Sequence, residues 1–451
     1  MSLMDLTATA LAAEVRAGRV TPQAAAAAAR ARAEERNPAL NALTLVNPAL
    51  EAEAEAVAAR LAAGEELPLA GVPVVIKDNI WVKDLPITQG SKLFEGFIAP
   101  EDAQAVARLR AAGAVLLGIG TCSEFACKGS TNTPLYGMTR NPLDLSRTPG
   151  GSSGGPVAAV AAGMAPLALG TDAGGSTRRP PAHVGLVGLK PTQGLIPYGP
   201  GFDEPVWGIS VLAPIARTVE DISLAMSVLA DLAPEPPLEG ALAHAATFGL
   251  DQRLDPGVAG AFAAGIAAIA AAGHPLRAAA PDWQGLDGMS VMPLQHAGLA
   301  ALFGARWRET PEEFDPDLGA QIESGLALSG VAVADAHQAS HRIRGIVLEF
   351  LAQHAAMITL TTPCAAWPVE LSAPAAIGGA PCCPRDHAAF TSQLNHAGCP
   401  AITLPCGTDA AGLPLGIQII AAPGRDAALL ALAAQIAPLL PPALKPQSEG
   451  L

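Results

Sequence analysis

Residues 71–76 read GVPVVI, and residues 101–119 read EDAQAVARLRAAGAVLLGI. The first stretch is a short apolar run typical of a buried strand. The second opens with an amphipathic helical pattern over residues 101–112, which stops at Gly113, and it continues into another apolar run over residues 114–119. A strand, a helix and a strand in succession are typical of α/β proteins. These residues therefore predict an α/β fold.

Helical and strand-like patterns alternate over the rest of the chain. Residues 1–65 are rich in alanine, the strongest helix former, and 51–63 give the clearest helix. Strand-like runs return at 356–360, 401–404 and 415–420, followed by a helix at 426–440. Length alone suggests about three domains, but the strand-rich parts bracket a helical middle. We therefore expect one domain over 1–451, made of N-terminal helices (1–65), a catalytic core (66–235), a variable, mostly helical insertion (236–350) and the C-terminal part of the core (351–440).

Composition excludes several classes of protein. Of the 451 residues, 50% are hydrophobic and 15% are charged, which is incompatible with a disordered chain. The net charge of −14 and the lack of a long Lys/Arg cluster argue against nucleic-acid binding. The N-terminus lacks a signal-peptide pattern, and the apolar run within 156–170 is too short to span a bilayer. We expect a cytoplasmic protein without a membrane segment.

The seven cysteines are odd in number and irregularly spaced, which is typical of reduced thiols in a cytoplasm. Cys382 and Cys383 lie close to His387, a grouping that invites a zinc site. It lacks a C-x-x-C pair and an evident fourth ligand, so we interpret these cysteines as small buried hydrophobes. We expect neither a metal nor another cofactor.

Three short segments carry residues suited to chemistry. The first contains Lys77, directly after the apolar run 71–76. A lysine there is usually a salt-bridge partner or a surface residue. Burial would lower its pKa, however, and allow it to act as a neutral base near pH 7.

The second segment is TPGGSSGGP at 148–156, with four glycines around Ser152 and Ser153. A flexible linker would be flanked by polar sequence, whereas apolar runs follow this loop. Residues 150–154 match G-x-S-x-G, but an α/β-hydrolase nucleophile elbow follows a strand, and the preceding residues, with two prolines, make a poor one. The loop also lacks the pattern of a phosphate cradle. It instead suits a backbone that bends sharply or approaches a ligand closely.

The third segment is GTDAGGSTRRP at 170–180. Two glycines directly before Ser176 allow several backbone N–H groups to turn to one side. Such a nest can hold an anion or a developing oxyanion. Taken alone, the segment is equally compatible with an ordinary turn.

Together, the three segments resemble the amidase signature family, whose members carry a lysine after a strand, a G-G-S-S-G-G-type loop and a T-D-x-G-G-S-x-R-x-P segment. The separations of 75 residues from Lys77 to Ser152 and 24 from Ser152 to Ser176 also agree. The resemblance covers residues 71–192 and resumes at 395–424, whereas 236–350 lies in the region that varies with substrate in this family. It implies a single large domain with a central mixed β-sheet covered by helices on both faces.

The resemblance also implies roles for individual residues. Ser176 resembles the nucleophile, Ser152 the bridging serine that follows a cis peptide bond, and Lys77 the base. Four backbone N–H groups resemble the oxyanion hole: Ala173, Gly174, Gly175 and Ser176. We expect the substrate to contact Ala126, Cys127, Ser153 and Thr171, and we interpret Asp172 and Arg178 as a structural pair near the site.

Three residues depart from the family pattern, namely Pro156, Arg179 and Pro181. Proline has no N–H, so Pro156 fits only within the first turn of the following helix. Arg179 stands where the family often has an apolar residue, and Pro181 where it often has alanine. None of these positions belongs to the catalytic residues, but together they leave the shape of the acyl pocket open.

The leading hypothesis is a serine-dependent amidase that cleaves linear amides, with ester or carbamate hydrolysis as side activities, through an acyl-enzyme. A small molecule would be its partner, and the protein would be a monomer or homodimer. One alternative is the glutaminase-type subunit of an amidotransferase, which works with a partner protein. Another is a non-catalytic scaffold, against which the intact Lys77, Ser152 and Ser176 argue. Large apolar residues in regions expected near the pocket mouth are more often core than ligand contacts: Trp207, Met292, Leu302, Phe303 and Trp307.

Overall fold

The computed structural model describes residues 2–443, and its centre is a mixed sheet of eleven strands. This confirms the predicted α/β class. The strands of the main sheet are β1 (Leu43–Val46), β2 (Pro73–Lys77), β3 (Val115–Gly120), β6 (Leu167–Asp172), β7 (Val187–Lys190), β8 (Val211–Ala216), β9 (Leu242–His244), β10 (Leu276–Ala278), β11 (Ala356–Leu360), β14 (Ala401–Thr408) and β15 (Pro414–Ile420). Two short hairpins lie outside it: β4 (Asn132–Thr133) with β5 (Gly137–Met138), and β12 (Ala376–Ile377) with β13 (Ala380–Pro381).

Thirteen α-helices lie within residues 2–443. They are α1 (Ala8–Arg16), α2 (Pro22–Leu40), α3 (Leu50–Ala62), α4 (Gln104–Ala111), α5 (Gly154–Ala161), α6 (Arg179–Val184), α7 (Val219–Leu229), α8 (Pro256–Ala271), α9 (Met292–Glu309), α10 (Pro316–Leu326), α11 (Gly330–Leu351), α12 (Ser392–Ala397) and α13 (Asp426–Ile436). None of these helices combines the length and the apolarity that crossing a bilayer requires.

The strand order is β1-β3-β2-β6-β8-β7-β14-β15-β11-β9-β10. Strand β2 is parallel to both of its neighbours, β3 and β6, while β8, β7, β14 and β15 pair in antiparallel fashion. The carboxyl ends of β2 and β6 therefore meet at the same edge of the sheet. That edge is where Lys77 and the segment 170–180 are brought together.

Both faces of the sheet are buried, which explains the continuous apolar runs in the sequence. Alternate residues of a strand point to opposite faces, and here they belong to two different apolar clusters. Val74 and Ile76 of β2 pack in the larger cluster, whereas Val75 packs in the second one with α2, α3 and α5. The two clusters place helices on both faces, as predicted.

The predicted elements around β2, α4 and β3 are confirmed to within a few residues, as are α3, β11, β15 and α13. Two differences concern strands that the sequence did not indicate. Strand β1 lies within the N-terminal region predicted to be helical, and β9 and β10 lie within 236–350 and form one edge of the sheet. These strands have only three or four residues, too few for a period-2 pattern to stand out.

Candidate active site

Lys77, Ser152 and Ser176 form a continuous chain of hydrogen-bonding groups. Lys77 Nζ lies 2.7 Å from Ser152 Oγ, which lies 2.9 Å from Ser176 Oγ. The backbone N–H of Ser152 also donates to Ser176 Oγ over 3.1 Å. Lys77 and Ser152 are fully buried, whereas Ser176 is 6% exposed. A proton can therefore pass between Ser176 and Lys77 through a single bridging hydroxyl, and Ser176 is the most exposed of the three residues.

Lys77 is the last residue of β2, and its ammonium group is held by the neighbouring strand. It donates to Thr171 Oγ1 of β6 over 2.8 Å, and Asn79 Nδ2 donates to the same oxygen over 3.0 Å. Burial lowers the pKa of Lys77 to about 8, although nearby Asp172 opposes the shift. The sequence-based expectation of a buried lysine with a lowered pKa agrees with this geometry.

The glycine-rich loop before α5 places Ser152. The peptide bond between Gly151 and Ser152 is cis. A Cβ at Gly151 would lie 2.7 Å from the backbone carbonyl carbon of Ser130, so a larger residue does not fit at this position. Pro156 occupies the third position of α5, within the first turn. A backbone N–H in this turn has no intrahelical acceptor, so proline costs the helix no hydrogen bond there. Residues 142–149 before the loop form turns with isolated bridges at Asp144 and Arg147, not the strand of a nucleophile elbow.

The turn that carries Ser176 is organised by Asp172 at the end of β6. Its carboxylate accepts hydrogen bonds from the backbone N–H groups of Gly175 and Thr177, over 2.8 and 3.1 Å, and forms a buried ion pair with Arg178. Burial opposes ionisation of Asp172, but Arg178 and Asn395 outweigh it and hold its pKa well below the usual range. One of the four N–H groups predicted to form the oxyanion hole, that of Gly175, is thus bonded to Asp172.

Two adjacent cavities lie beside the segment that carries Ser176. The inner one has a volume of about 50 Å³ and is lined by Ser152, Ser176 and the loop around Cys127. The outer one has a volume of about 420 Å³. Five residues line both of them, namely Ala173, Gly174, Val206, Gln295 and Arg385. The two cavities therefore adjoin each other at these five residues.

The predicted substrate-contacting residues divide into two groups. Ala126, Cys127 and Thr171 line the inner cavity, but Ser153 is fully buried and does not. Thr171 contacts Lys77 as well. Phe125 and Ala126 have φ of 49° and 60°, a left-handed conformation that costs energy for residues other than glycine and is concentrated at functional sites.

The large apolar residues predicted near the pocket mouth are mostly not in contact with the cavities. Met292 lines the outer one. Phe303 stacks on Phe125 with ring centroids 3.9 Å apart, and Trp307 packs against Phe314 in the same small cluster. Trp207 is 50% exposed and Leu302 is 39% exposed. Phe303 thus packs against the loop around Phe125, which lines the inner cavity, and supports that loop.

Sequence reasoning missed several residues of the inner cavity. Glu204, Gln295 and Arg385 come from three separate loops and helices, and no motif surrounds them. Arg179 also lines this cavity. Its departure from the family pattern was the one available signal, because a charged residue stands in place of an apolar one. His387, which follows Cys382 and Cys383 in the sequence, is buried and accepts from Arg179 Nη1 through Nδ1 over 2.8 Å.

Comparison with known proteins identifies the family. The model of the amidase family matches residues 24–281 and 300–430. The chain belongs to the amidase signature family. It is 34% identical over 476 residues to a glutamyl-tRNA(Gln) amidotransferase subunit of Deinococcus radiodurans, an alignment covering 95% of this chain and 96% of that protein.

Solved structures of this family superpose on most of the chain. One amidase gives a TM-score of 0.89 at 28% identity, with 96% of this chain and all of that chain covered. A 6-aminohexanoate cyclic dimer hydrolase gives 0.86 at 29% identity, with 98% of each covered. The corresponding glutamyl-tRNA(Gln) amidotransferase subunit of Thermotoga maritima gives 0.78 at 26% identity, with 96% of this chain and 95% of that chain covered. These matches confirm the predicted family and its fold.

Proposed function

We propose that this amidase-family protein hydrolyses small linear amides through an acyl-enzyme formed on Ser176. The observation that carries the proposal is the unbroken contact from Lys77 Nζ through Ser152 Oγ to Ser176 Oγ, at 2.7 and 2.9 Å. A serine hydroxyl is a weak nucleophile and needs a base within reach. Lys77, whose pKa burial lowers to about 8, supplies that base in its neutral form.

Acylation follows from this geometry. Neutral Lys77 takes the proton of Ser152 as Ser152 takes that of Ser176, and Ser176 Oγ attacks the amide carbon. Collapse of the tetrahedral intermediate breaks the C–N bond, and the relay returns a proton to the departing amine. Water then attacks the acyl-enzyme with the same base, which releases the carboxylic acid and regenerates Ser176. Each proton removed by Lys77 is given back, so the cycle needs no co-reactant besides water.

The developing oxyanion requires hydrogen-bond donors beside Ser176. We assign this role to the backbone N–H groups of Ala173, Gly174 and Ser176, in the turn that Asp172 and Arg178 hold in place. The family resemblance adds the N–H of Gly175 to this set, but its bond to Asp172 Oδ1 over 2.8 Å makes it a support of the turn. Asp172 and Arg178 are accordingly positioning residues, not catalytic ones.

The proposed scope includes esters and carbamates, because an acyl-enzyme route cleaves any of these acyl donors that the cavity admits. The proposed partner is the small-molecule substrate alone, with the protein acting as a monomer or homodimer. We further propose a reducing, cytoplasmic environment, supported by the seven cysteines, all of which are free thiols.

The decisive experiment combines labelling with a substrate panel. A fluorophosphonate probe should label the protein, and Ser176→Ala should abolish both labelling and hydrolysis of aliphatic amides, anilides, esters and carbamates. Ser227→Ala, an exposed serine on α7, is the matched control and should change neither. A folded protein that resists labelling and hydrolyses no member of the panel would favour a non-catalytic scaffold instead.

A second candidate function is that of an amidotransferase subunit that produces ammonia for a partner. Its support is the 34% identity to a glutamyl-tRNA(Gln) amidotransferase subunit over nearly the full length of both proteins. The higher TM-score with the solved amidase, 0.89 against 0.78 for the solved amidotransferase subunit, favours the free-standing hydrolase. Purification of the chain distinguishes the two functions. Hydrolysis of simple amides by the isolated chain supports the first function. Inactivity of the isolated chain, together with co-purification with a partner, supports the second.

A further inference from the structure

Two arginines on the surface of the inner cavity have no acidic partner among the described residues. Arg179 follows Ser176 by three residues, and Arg385 comes from the loop before α12; both line the cavity that contains Ser176. No carboxylate within residues 2–443 lies within 4.0 Å of either guanidinium. The adjacent Arg178, by contrast, forms an ion pair with Asp172.

The contacts of Arg179 are insufficient for a buried cation. Arg179 is only 3% exposed, its Nη1 donates to the neutral ring of His387, and its Nε has no hydrogen-bond partner in the part of the chain that the structure describes. Arg385 donates through Nη2 to the carbonyl of Cys127 over 3.0 Å and to Gln321 Oε1 over 3.3 Å. Buried charges are normally paired, because an uncompensated one is costly. The two guanidinium groups therefore favour an anionic group beside them.

The electrostatics of the cavity agree with this geometry. Burial and the facing Arg385 together lower the pKa of Arg179 to about 9, although the charge of Asp172 opposes the shift. Lys128, also on the cavity surface, is already neutralised by Asp315 over 2.5 Å. Glu204 is the half-buried acid of the same cavity; burial raises its pKa, and its carboxylate accepts the backbone N–H of Gly208. Asp203 is exposed.

The outer cavity has the opposite charge. Four aspartates line it and outnumber Arg385, which reaches this cavity too: Asp251, Asp282, Asp287 and Asp386. An anionic group of a ligand is therefore favoured at the inner end and disfavoured at the outer end. The inner end is also the narrow one, at about 50 Å³ against about 420 Å³. The amine leaves while the acyl group is still bound to Ser176, so the amine needs the wider space through which to depart. We therefore place the acyl group in the inner cavity and the amine in the wider one.

We propose that the substrate is an amide whose short acyl group ends in a carboxylate, and that Arg179 and Arg385 bind this carboxylate. The inference rests on the proposed hydrolase function and names its substrate class, the monoamides of short dicarboxylic acids and their N-substituted derivatives. Guanidinium groups suit this task because they offer several donors in one plane to a carboxylate. Both arginines act as binding residues for specificity and take no part in proton transfer.

A matched substrate pair tests the proposal by kinetics. Succinamate and butyramide have the same chain length and differ in the terminal carboxylate. We expect succinamate to have the higher kcat/KM, and Arg385→Gln to lower it roughly 10- to 100-fold for succinamate but to change it little for butyramide. Arg385→Lys should retain part of the preference. Arg306→Gln, on the exposed side of α9, is the control and should alter neither substrate.

Binding measured without turnover separates this inference from the hydrolase function. Calorimetry with the Ser176→Ala protein should detect succinamate, and the added Arg385→Gln or Arg179→Gln change should abolish the signal. Equal kcat/KM for both amides, or equal losses in Arg385→Gln, would overturn the carboxylate site and leave the hydrolase function standing. Arginine-dependent binding by a wild-type protein that hydrolyses neither amide would contradict the hydrolase function and support the carboxylate site.

Discussion

Arg178 and Asp172 form an ion pair of 3.0 Å in which both side chains are completely buried. The pair connects distant parts of the chain, because Arg178 also donates to Asn395 Oδ1 and to the backbone carbonyl of Thr391. Asp172 in turn holds the backbone N–H groups of Gly175 and Thr177 on either side of Ser176. The position of the proposed nucleophile thus depends on a buried electrostatic contact between the end of β6 and the region around α12.

Arg178→Gln should destabilise the protein strongly, because Asp172 would remain buried without its cation. Breaking a buried pair in this way costs about 3–5 kcal/mol. Thermal or urea unfolding measures the loss. Arg19→Gln removes an arginine from an exposed pair with Glu14 and should leave the unfolding midpoint unchanged. Equal midpoints for Arg178→Gln and the wild type would show that the pair is not needed for the turn.

The rate of hydrolysis should rise with pH and level off above about pH 8. Only neutral Lys77 can accept the proton, and burial places its pKa at about 8. At pH 7, roughly a tenth of the protein molecules have a neutral Lys77. Well below the pKa, this fraction rises about tenfold for each unit by which the pH is raised. A pH profile of kcat/KM with a neutral substrate checks the prediction. A flat profile between about pH 6 and pH 9 would exclude Lys77 as the base.

Thr171→Val should reduce activity and displace the pH profile to lower pH. The Thr171 hydroxyl accepts a hydrogen bond from the Lys77 ammonium over 2.8 Å and so favours its charged form. Its removal should lower the pKa of Lys77 and reduce kcat/KM by about 10-fold through lost positioning. Thr171→Ser keeps the hydroxyl and should restore both. A loss of activity with an unchanged profile would assign Thr171 a packing role only.

Two glycine-to-alanine substitutions in helices should have opposite effects on stability. A Cβ at Gly298 of α9 would clash with the backbone carbonyl of Pro205, next to the cavity-lining Val206, so Gly298→Ala should destabilise by about 1–3 kcal/mol. A Cβ at Gly260 of α8 would meet nothing within 4 Å. Gly260→Ala should therefore stabilise by about 0.5–1 kcal/mol, because alanine is the better helix former. The denaturation midpoints of the two variants test the close approach of α9 to this loop.

The sequence by itself was sufficient for the features that depend on local conformation and on apolar pattern. Lys77 at the end of an apolar strand, the glycine-rich loop around Ser152 and the turn before Ser176 were all visible in short segments. The apolar runs of β2, β3 and β11 indicated strands, and the family resemblance supplied the sheet covered on both faces and the roles of the three residues. Pro156 could be placed in the first turn of a helix because proline tolerates few other helical positions.

The tertiary structure alone decided the features that depend on which distant residues meet. It placed Arg385 against Arg179, more than two hundred positions earlier in the chain, and it turned the N–H of Gly175 toward Asp172 and away from the cavity. It also attached β9 and β10, which have three residues each, to the edge of the main sheet. Local sequence carries little information about such contacts, because they are selected by the packing of the whole chain and not by the preference of any single segment.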